Sequence, residues 1–420
     1  MTRSKSALTR LKDVPKGIWA LGFVSMLMDI SSETIHALLP LYMVSVLGTS
    51  TLAVGIIEGI AEAIASITKI FSGALSDWLG RRKWLAALGY GLAAFTKPVF
   101  PLAPNVEWLA AARFVDRIGK GIRGAPRDAL IADIAPPEVR GASFGLRQSL
   151  DTVGAFLGPL LAILLMLVTA DNFTFVFWVA VVPAFLSFLL IVFMVQEPER
   201  PAALRSVASP LSRAELLRLS ARYWWIVGLA AVFTLARFSE AFLLLRSQSV
   251  GLPIALAPAM LVLMNIAYAL AAYPAGVLSD HMDRVTLLIT GLVPLIAADL
   301  VLAFSTSPTG VAAGVVLWGL HMGLTQGLLA TLVADTAPAE LRGTAYGVFN
   351  LVSGLALLAA SIIAGSLWDV FGPEGTFMAG AAFASLAAVG LLIVSRTIGG
   401  SAASGMSEGR RIASKDDPSG

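Results

Sequence analysis

The chain contains no cysteine and only three histidines among 420 residues. Disulfides and thiolate metal sites are therefore excluded, and a histidine-rich metal centre is not expected. Charge is scarce as well. Asp, Glu, Lys and Arg make up 14% of the chain, against about 25% in a soluble globular domain. Catalytic signatures are missing too. No HExxH, no nucleotide-binding loop and no Ser/His/Asp constellation occurs, so neither an enzyme nor ATP-driven transport is expected. No cofactor is called for. The small net charge of +3 gives no reason to expect nucleic acid, because topology accounts for the basic residues.

What is present is apolar length. Hydrophobic residues make up 57% of the chain and the mean hydropathy is +0.81. Apolar runs of about 20 residues, long enough to span a bilayer, recur throughout. The chain reads as an all-α membrane protein with twelve helices near 18–47, 52–77, 84–103, 106–135, 141–168, 173–196, 221–248, 253–280, 285–305, 309–336, 343–369 and 374–396. The first run is too long and too polar at its middle for a cleaved signal peptide. Residues 1–17 form a basic tail, 197–220 a polar linker with a short surface helix, and 397–420 a Gly/Ser-rich tail expected to be disordered.

The loops alternate in charge. One set holds the amino-terminal tail, Arg81–Lys83, Arg140, the 197–220 linker, Arg284, Arg342 and the carboxy-terminal tail, while the other set holds no Lys or Arg. The positive-inside rule puts both termini and the linker in the cytoplasm. The location expected is a bacterial inner membrane.

Ten of the 30 Lys and Arg lie inside the predicted helices. Five share one helix. Arg113, Arg117, Lys120, Arg123 and Arg127 recur at steps of three or four and form one stripe, about 21 Å long at the helical rise. A charge at the bilayer centre costs roughly 2.5–3.5 kcal/mol even on lenient scales. Five facing lipid would defeat insertion, so the stripe must face protein or water. In the first half, eight positives (Lys69, Lys97, the five of the stripe and Arg147) meet eight negatives: Asp29, Glu33, Glu58, Glu62, Asp116, Asp128, Asp133 and Asp151. That balance predicts a paired network rather than a bare cationic funnel.

The chain repeats itself. GALSDWLGRR (73–82) returns as GVLSDHMDRV (276–285), and ADIAPPEVRGASFG (132–145) as ADTAPAELRGTAYG (334–347). The offsets are 203 and 202 residues. Two matches at nearly one offset indicate duplication, with 18–196 and 221–396 as parallel six-helix halves and a substrate site between them. The halves differ in chemistry. The second is sparser, with Arg237, Glu240, Arg246, Asn265, Asp299, His321 and Gln326, and Arg117 and Lys120 correspond to Gly319 and Met322.

The 73–82 segment resembles the signature between the second and third helices of the major facilitator superfamily, and the degraded copy at 276–285 and the basic central linker are similar too. The resemblance spans essentially the whole chain. It implies two six-helix bundles that rock about a central cavity. It also implies a cytoplasmic latch built from Gly73, Asp77, Gly80 and Arg81, with Asp133 and Arg140 beside it. Gly154-x-x-x-Gly158-Pro159 resembles an element frequent in the family's exporters, and Arg113 falls at that family's helix-4 arginine. Asp116-Arg117 departs from the pattern there, and Lys120, Arg123 and Arg127 are additions.

The function expected is secondary active transport of a small polar or charged solute by a monomer in the lipid bilayer, with protons as the coupling ion and efflux by antiport as the direction. Arg117, Lys120, Arg123, Arg237, Glu240 and Gln326 are the substrate candidates. Asp29, Glu33 and Glu58 are the proton-coupling candidates, since burial raises a carboxyl's proton affinity and a mobile arginine nearby lowers it. Two alternatives stand beside this reading. Asp29, Glu33 and His36 have metal-ligand spacing on one helix face, which would suit a divalent-cation transporter, although the cations of the stripe oppose it. A non-transporting receptor on the same scaffold would need an ordered signalling domain.

Overall fold

The computed structural model describes residues 14–79, 81–136, 139–198, 216–279, 284–338 and 341–413. Among these the chain is helical, with no strand. Twelve spans follow the apolar runs. In the first half they are α1 (Lys16–His36, resuming as Leu39–Ser45), α2 (Thr51–Leu79), α3 (Arg82–Thr96, resuming as Val99–Leu102), α4 (Val106–Ile134), α5 (Arg140–Val168) and α6 (Phe173–Met194). In the second half they are α7 (Ala221–Leu235, resuming as Ala241–Ser249), α8 (Ala259–Ser279, after a 3-10 turn at Ile254–Leu256), α9 (Arg284–Phe304) and α10 (Pro308–Thr336). The last two share the helix Arg342–Ala413, divided at Gly372 into α11 before it and α12 after it. Gly372 takes a φ of 74°, a left-handed conformation that a residue with a Cβ adopts only at a cost.

The spans agree with the periodicity to within a few residues, with two differences. Helical backbone continues past position 396 to Ala413, where the sequence suggested a disordered tail. No proline lies between Glu374 and Asp416, and a formed helix extends by one hydrogen bond per residue. Positions 414–420 and 199–215, most of the linker, lie outside the described residues. The second difference is that α1, α3 and α7 are broken inside the membrane. Pro40 and Pro98 sit at two of the breaks, and a proline supplies no N–H to the helical ladder while its ring crowds the preceding turn. The α7 break, between Leu235 and Ala241, has no proline. There the Ser239 hydroxyl accepts the Ala241 N–H at 3.3 Å, and the Ser239 N–H donates to Ser361 Oγ at 3.3 Å. Backbone freed from a helix at this depth is tolerated only where it is buried in protein or lines a cavity.

Within the first half α1 packs on α5 and α6, and α4 packs on α2 and α3. In the second half α10 packs on α8 and α9. The halves meet chiefly along α2 and α11. Small residues make that approach possible. A Cβ on Gly55 would fall 2.2 Å from the Ser361 carbonyl oxygen, and one on Gly59 2.9 Å from Leu358. With no hydrophobic drive between helices in lipid, close backbone contact of this kind holds membrane helices together.

Eight stretches of the described residues are long and apolar enough to cross a membrane, and the last, Ala345–Leu392, holds two spans. α4 is absent from them because of its charge. It is nonetheless placed inside the bundle, with Arg113, Asp116, Arg117 and Arg123 buried.

Candidate functional site

The stripe on α4 is mostly paired. Arg113 Nη2 lies 2.7 Å from Glu58 Oε2, and both side chains are fully buried. Arg117 Nη1 lies 3.2 Å from Glu62 Oε1. Both carboxylates come from α2, at i and i+4, matching the i and i+4 arginines of α4. Asp116 turns the other way and meets Lys97 of α3 at 2.9 Å, where Lys97 also donates to Ser32 Oγ at 3.1 Å. Lys97 reaches there because α3 breaks at that residue. Arg127 bonds Asp128 and Ser25, and Arg147 bonds Asp151 at 3.0 Å. Arg123 makes no ion pair among the described residues. Its guanidinium lies 5.0 Å from the centre of the Tyr90 ring, a cation–π contact, and Nη1 is buried without a hydrogen-bond partner among those residues.

His36, at the α1 break, links two carboxylates. Its Nδ1 is 3.4 Å from Glu33 and its Nε2 is 3.5 Å from Glu58. Glu33, His36, Glu58 and Arg113 thus form one chain of contacts across α1, α2 and α4. Lys120, the remaining member of the stripe, has no ion pair or side-chain hydrogen bond among the described residues.

Two adjoining cavities share Glu33, Glu62 and Lys120. One, of about 320 Å³, is bounded by the first half, including Asp29, Lys69, Arg123 and Asp151, and by Asn350 of α11. The other, of about 340 Å³, lies between the halves. Its first-half wall includes His36, Glu58 and Arg117. Its second-half wall is the broken segment Arg237, Phe238, Ser239 and Glu240, with Trp318 and Leu357. At the repeat offset of 202, His36 corresponds to Phe238. The first helix of each half therefore breaks at the same repeat position, and both breaks face one cavity.

Of the sequence candidates, Arg117, Lys120, Arg237, Glu240, Glu33 and Glu58 line the cavity between the halves. Arg123 and Asp29 line the neighbouring one. The side chain of Gln326 lies outside the described residues. Phe238, Ser239, Trp318 and Leu357 were missed, because an apolar residue in a membrane helix carries no sequence mark of facing a cavity. The repeat could have pointed to Phe238 and Ser239 once the break after His36 was known.

At the far end of the bundle, Arg82 Nη1 reaches Asp133 Oδ2 at 2.9 Å and the Ala129 carbonyl at 2.8 Å. The arginine on Asp133 is thus Arg82, while Arg81 is exposed and makes no ion pair among the described residues. Arg82 is the first residue of α3, which aims it inward. Gly73 of α2 packs against Ala125 of α4. The side chains of Asp77 and Arg140, and all of Gly80, lie outside the described residues.

In the second half Asp299 of α9 is fully buried, and neither carboxylate oxygen has a hydrogen-bond partner among the described residues. It lies against Gly380, which Phe238 also approaches. At the repeat offset Asp299 corresponds to Lys97 and Trp318 to Asp116, so the ion pair of the first half has no counterpart here. His321 bonds the Gly291 carbonyl through Nδ1 at 2.7 Å and stacks on Phe233.

Twelve spans in two repeat-related sets of six, meeting at a charged central cavity, define a multi-pass membrane transporter of the alternating-access type. The profile of the Major Facilitator Superfamily matches residues 21–359 and 236–414, and the chain belongs to that family. A relative described as an uncharacterized MFS-type transporter of Methanocaldococcus jannaschii is 33% identical over 391 residues, covering 91% of this chain and 96% of its own. The inner membrane transport protein YajR of Escherichia coli is 26% identical over 410 residues, 90% of this chain and 83% of its own. Among solved structures, the nucleoside transporter NupG superposes with a TM-score of 0.76 at 12% identity, covering 90% of this chain and 99% of its own. The chain is a secondary transporter of small-molecule solutes across a lipid bilayer, and it is not an enzyme.

Proposed function

We propose that this transporter exports a small charged solute from the cytoplasm as a monomer, in exchange for protons, from a bacterial inner membrane with both termini cytoplasmic. The observation that carries the reading is the cavity between the halves, where Lys120 of the paired stripe faces Arg237 and Glu240 of the α7 break. Arg117 and Arg123 hold the stripe in register around it. Asp29, Glu33 and Glu58 carry the proton, because all three line the cavities beside cations that a change of access would move. Alternating loop charge supports the orientation, and the name of the Escherichia coli relative supports the inner membrane. Export rests on Gly154-x-x-x-Gly158-Pro159, where Gly154 and Gly158 press against α1 at Met26, Asp29 and Glu33. The latch residues Gly73, Asp77, Gly80, Arg81, Asp133 and Arg140 close the cytoplasmic end, with Arg82 as the member that grips Asp133.

A metal cargo is not favoured. Glu33, His36 and Glu58 are engaged with one another and with Arg113, and among the described residues no group of three or more potential ligands is placed to hold an ion.

Flux into proteoliposomes tests the reading. Imposing a pH gradient drives accumulation of a transported solute, and a protonophore abolishes it. Accumulation that ignores the protonophore overturns the coupling. Transport untouched by Arg117→Ala, Lys120→Ala and Arg123→Ala makes the stripe purely structural.

A further inference from the structure

Lys120, Arg237 and Glu240 share one property that sets them apart from the other charges around the central cavity. None has an ion pair or a side-chain hydrogen bond among the described residues. Arg117 is ion-paired with Glu62, and Arg113, Glu58, His36 and Glu33 form a connected chain of ion-pair contacts. A charge held in a cavity walled by protein is costly unless a partner arrives. The set without an ion pair is two cations and one carboxylate, contributed by both halves. Arg237 and Glu240 lie on the same interrupted stretch of α7, between Leu235 and Ala241, and make no close ion pair with each other. Between them, Phe238 and Ser239 also face the cavity, and Trp318 and Leu357 complete an apolar wall. Binding segments in such transporters are commonly discontinuous helices near the bilayer midplane, and about 340 Å³ is at the small end of ligand cavities.

From these charges we infer that the solute is a small amino-carboxylate with an apolar side group. Its carboxylate sits between Lys120 and Arg237, its ammonium on Glu240, and its side group against Phe238 and Trp318. Because the two cations come from different halves, the carboxylate also draws the halves together. This inference rests on the transport reading only for its biological setting, since binding is measurable without flux.

The test uses the full chain in lipid nanodiscs and matched probes measured by calorimetry. These are phenylalanine, 3-phenylpropanoate and phenethylamine, with leucine, 4-methylpentanoate and 3-methylbutylamine as a second set. The both-charged member of at least one set is expected to bind about tenfold or more tightly than either single-charge member, roughly 1.4 kcal/mol. Glu240→Gln is expected to erase the advantage over the carboxylate-only probe. Arg237→Gln is expected to erase the advantage over the amine-only probe. Unchanged thermal unfolding certifies each variant. Binding of neither both-charged probe, equal binding of a single-charge probe, or equal weakening of all three probes by both variants overturns the assignment. Binding without flux would overturn the transport reading and leave this assignment standing. Flux of single-charge solutes alone would do the reverse.

Discussion

Asp369 of α11 caps the start of α2 across the boundary between the two halves. Its Oδ1 accepts from the Thr51 N–H at 3.1 Å and from the Thr51 hydroxyl, and its Oδ2 accepts from the Leu52 N–H at 3.1 Å. Helix starts carry unpaired N–H groups and partial positive charge. Here the carboxylate that satisfies them comes from the other half, so the cap fastens the halves at the end opposite Arg82. Removing a cap costs about 0.5–2 kcal/mol, and 1–2 kcal/mol changes a two-state ratio roughly 5–30-fold. Asp369→Ala is expected to shift the protein toward the form open at this end. Spin labels on cysteines introduced at positions 50 and 370 read the distance, and the cysteine-free chain needs no background removal. An unchanged distance distribution would show that the cap does not gate.

Glu58 and Arg113 make a different kind of prediction. Both are fully buried, so deleting Glu58 takes away the carboxylate that Arg113 pairs with, at a cost of about 3–5 kcal/mol. Glu58→Gln is expected to lower the thermal midpoint sharply in detergent. The double variant Glu58→Leu, Arg113→Met should recover most of the loss, because a buried ion pair replaced by apolar groups is often neutral. Additive losses in the double variant would contradict the pairing.

Lys120 and Arg117 separate stability from transport. Lys120 makes no ion pair among the described residues, and Arg117 is bonded to Glu62. Lys120→Ala is expected to leave the melting temperature within about the range of a surface substitution, ±0.5 kcal/mol, and to abolish uptake. Arg117→Ala should reduce both. Parallel melting and flux measurements decide, and a destabilised but active Lys120→Ala protein would reverse the assignment.

Asp299 predicts a gain. Two buried carboxylate oxygens lack partners, and an unsatisfied buried polar group costs about 1–3 kcal/mol. Asp299→Leu is expected to raise the thermal midpoint. If it falls instead, Asp299 has a partner that the described residues do not contain.

The spans were legible because a bilayer demands about 20 apolar residues per crossing, and the duplication was legible in two short motifs. The balance of charges in the first half foretold pairing. Which charge pairs with which was not legible, because Arg113 and Glu58 are 55 positions apart and only helix packing sets their register. The sequence also could not distinguish Lys120 from Arg117, which occupy the same stripe. The α7 break left no trace because it has no proline and is held by Ser361 from α11. Arg82 rather than Arg81 meets Asp133 because one residue at the start of a helix turns a side chain by about 100°.

The ion-pair partners of Arg113, Asp116 and Arg117 on α4 precede that helix in the chain. Glu58 and Glu62 lie on α2, and Lys97 lies on α3. A ribosome releases them before Arg113, Asp116 and Arg117. The most charged span therefore leaves the insertion channel into a membrane where its counter-charges already wait, and the order of synthesis becomes an order of neutralisation. The same stripe placed on α1 would emerge with nothing to meet it.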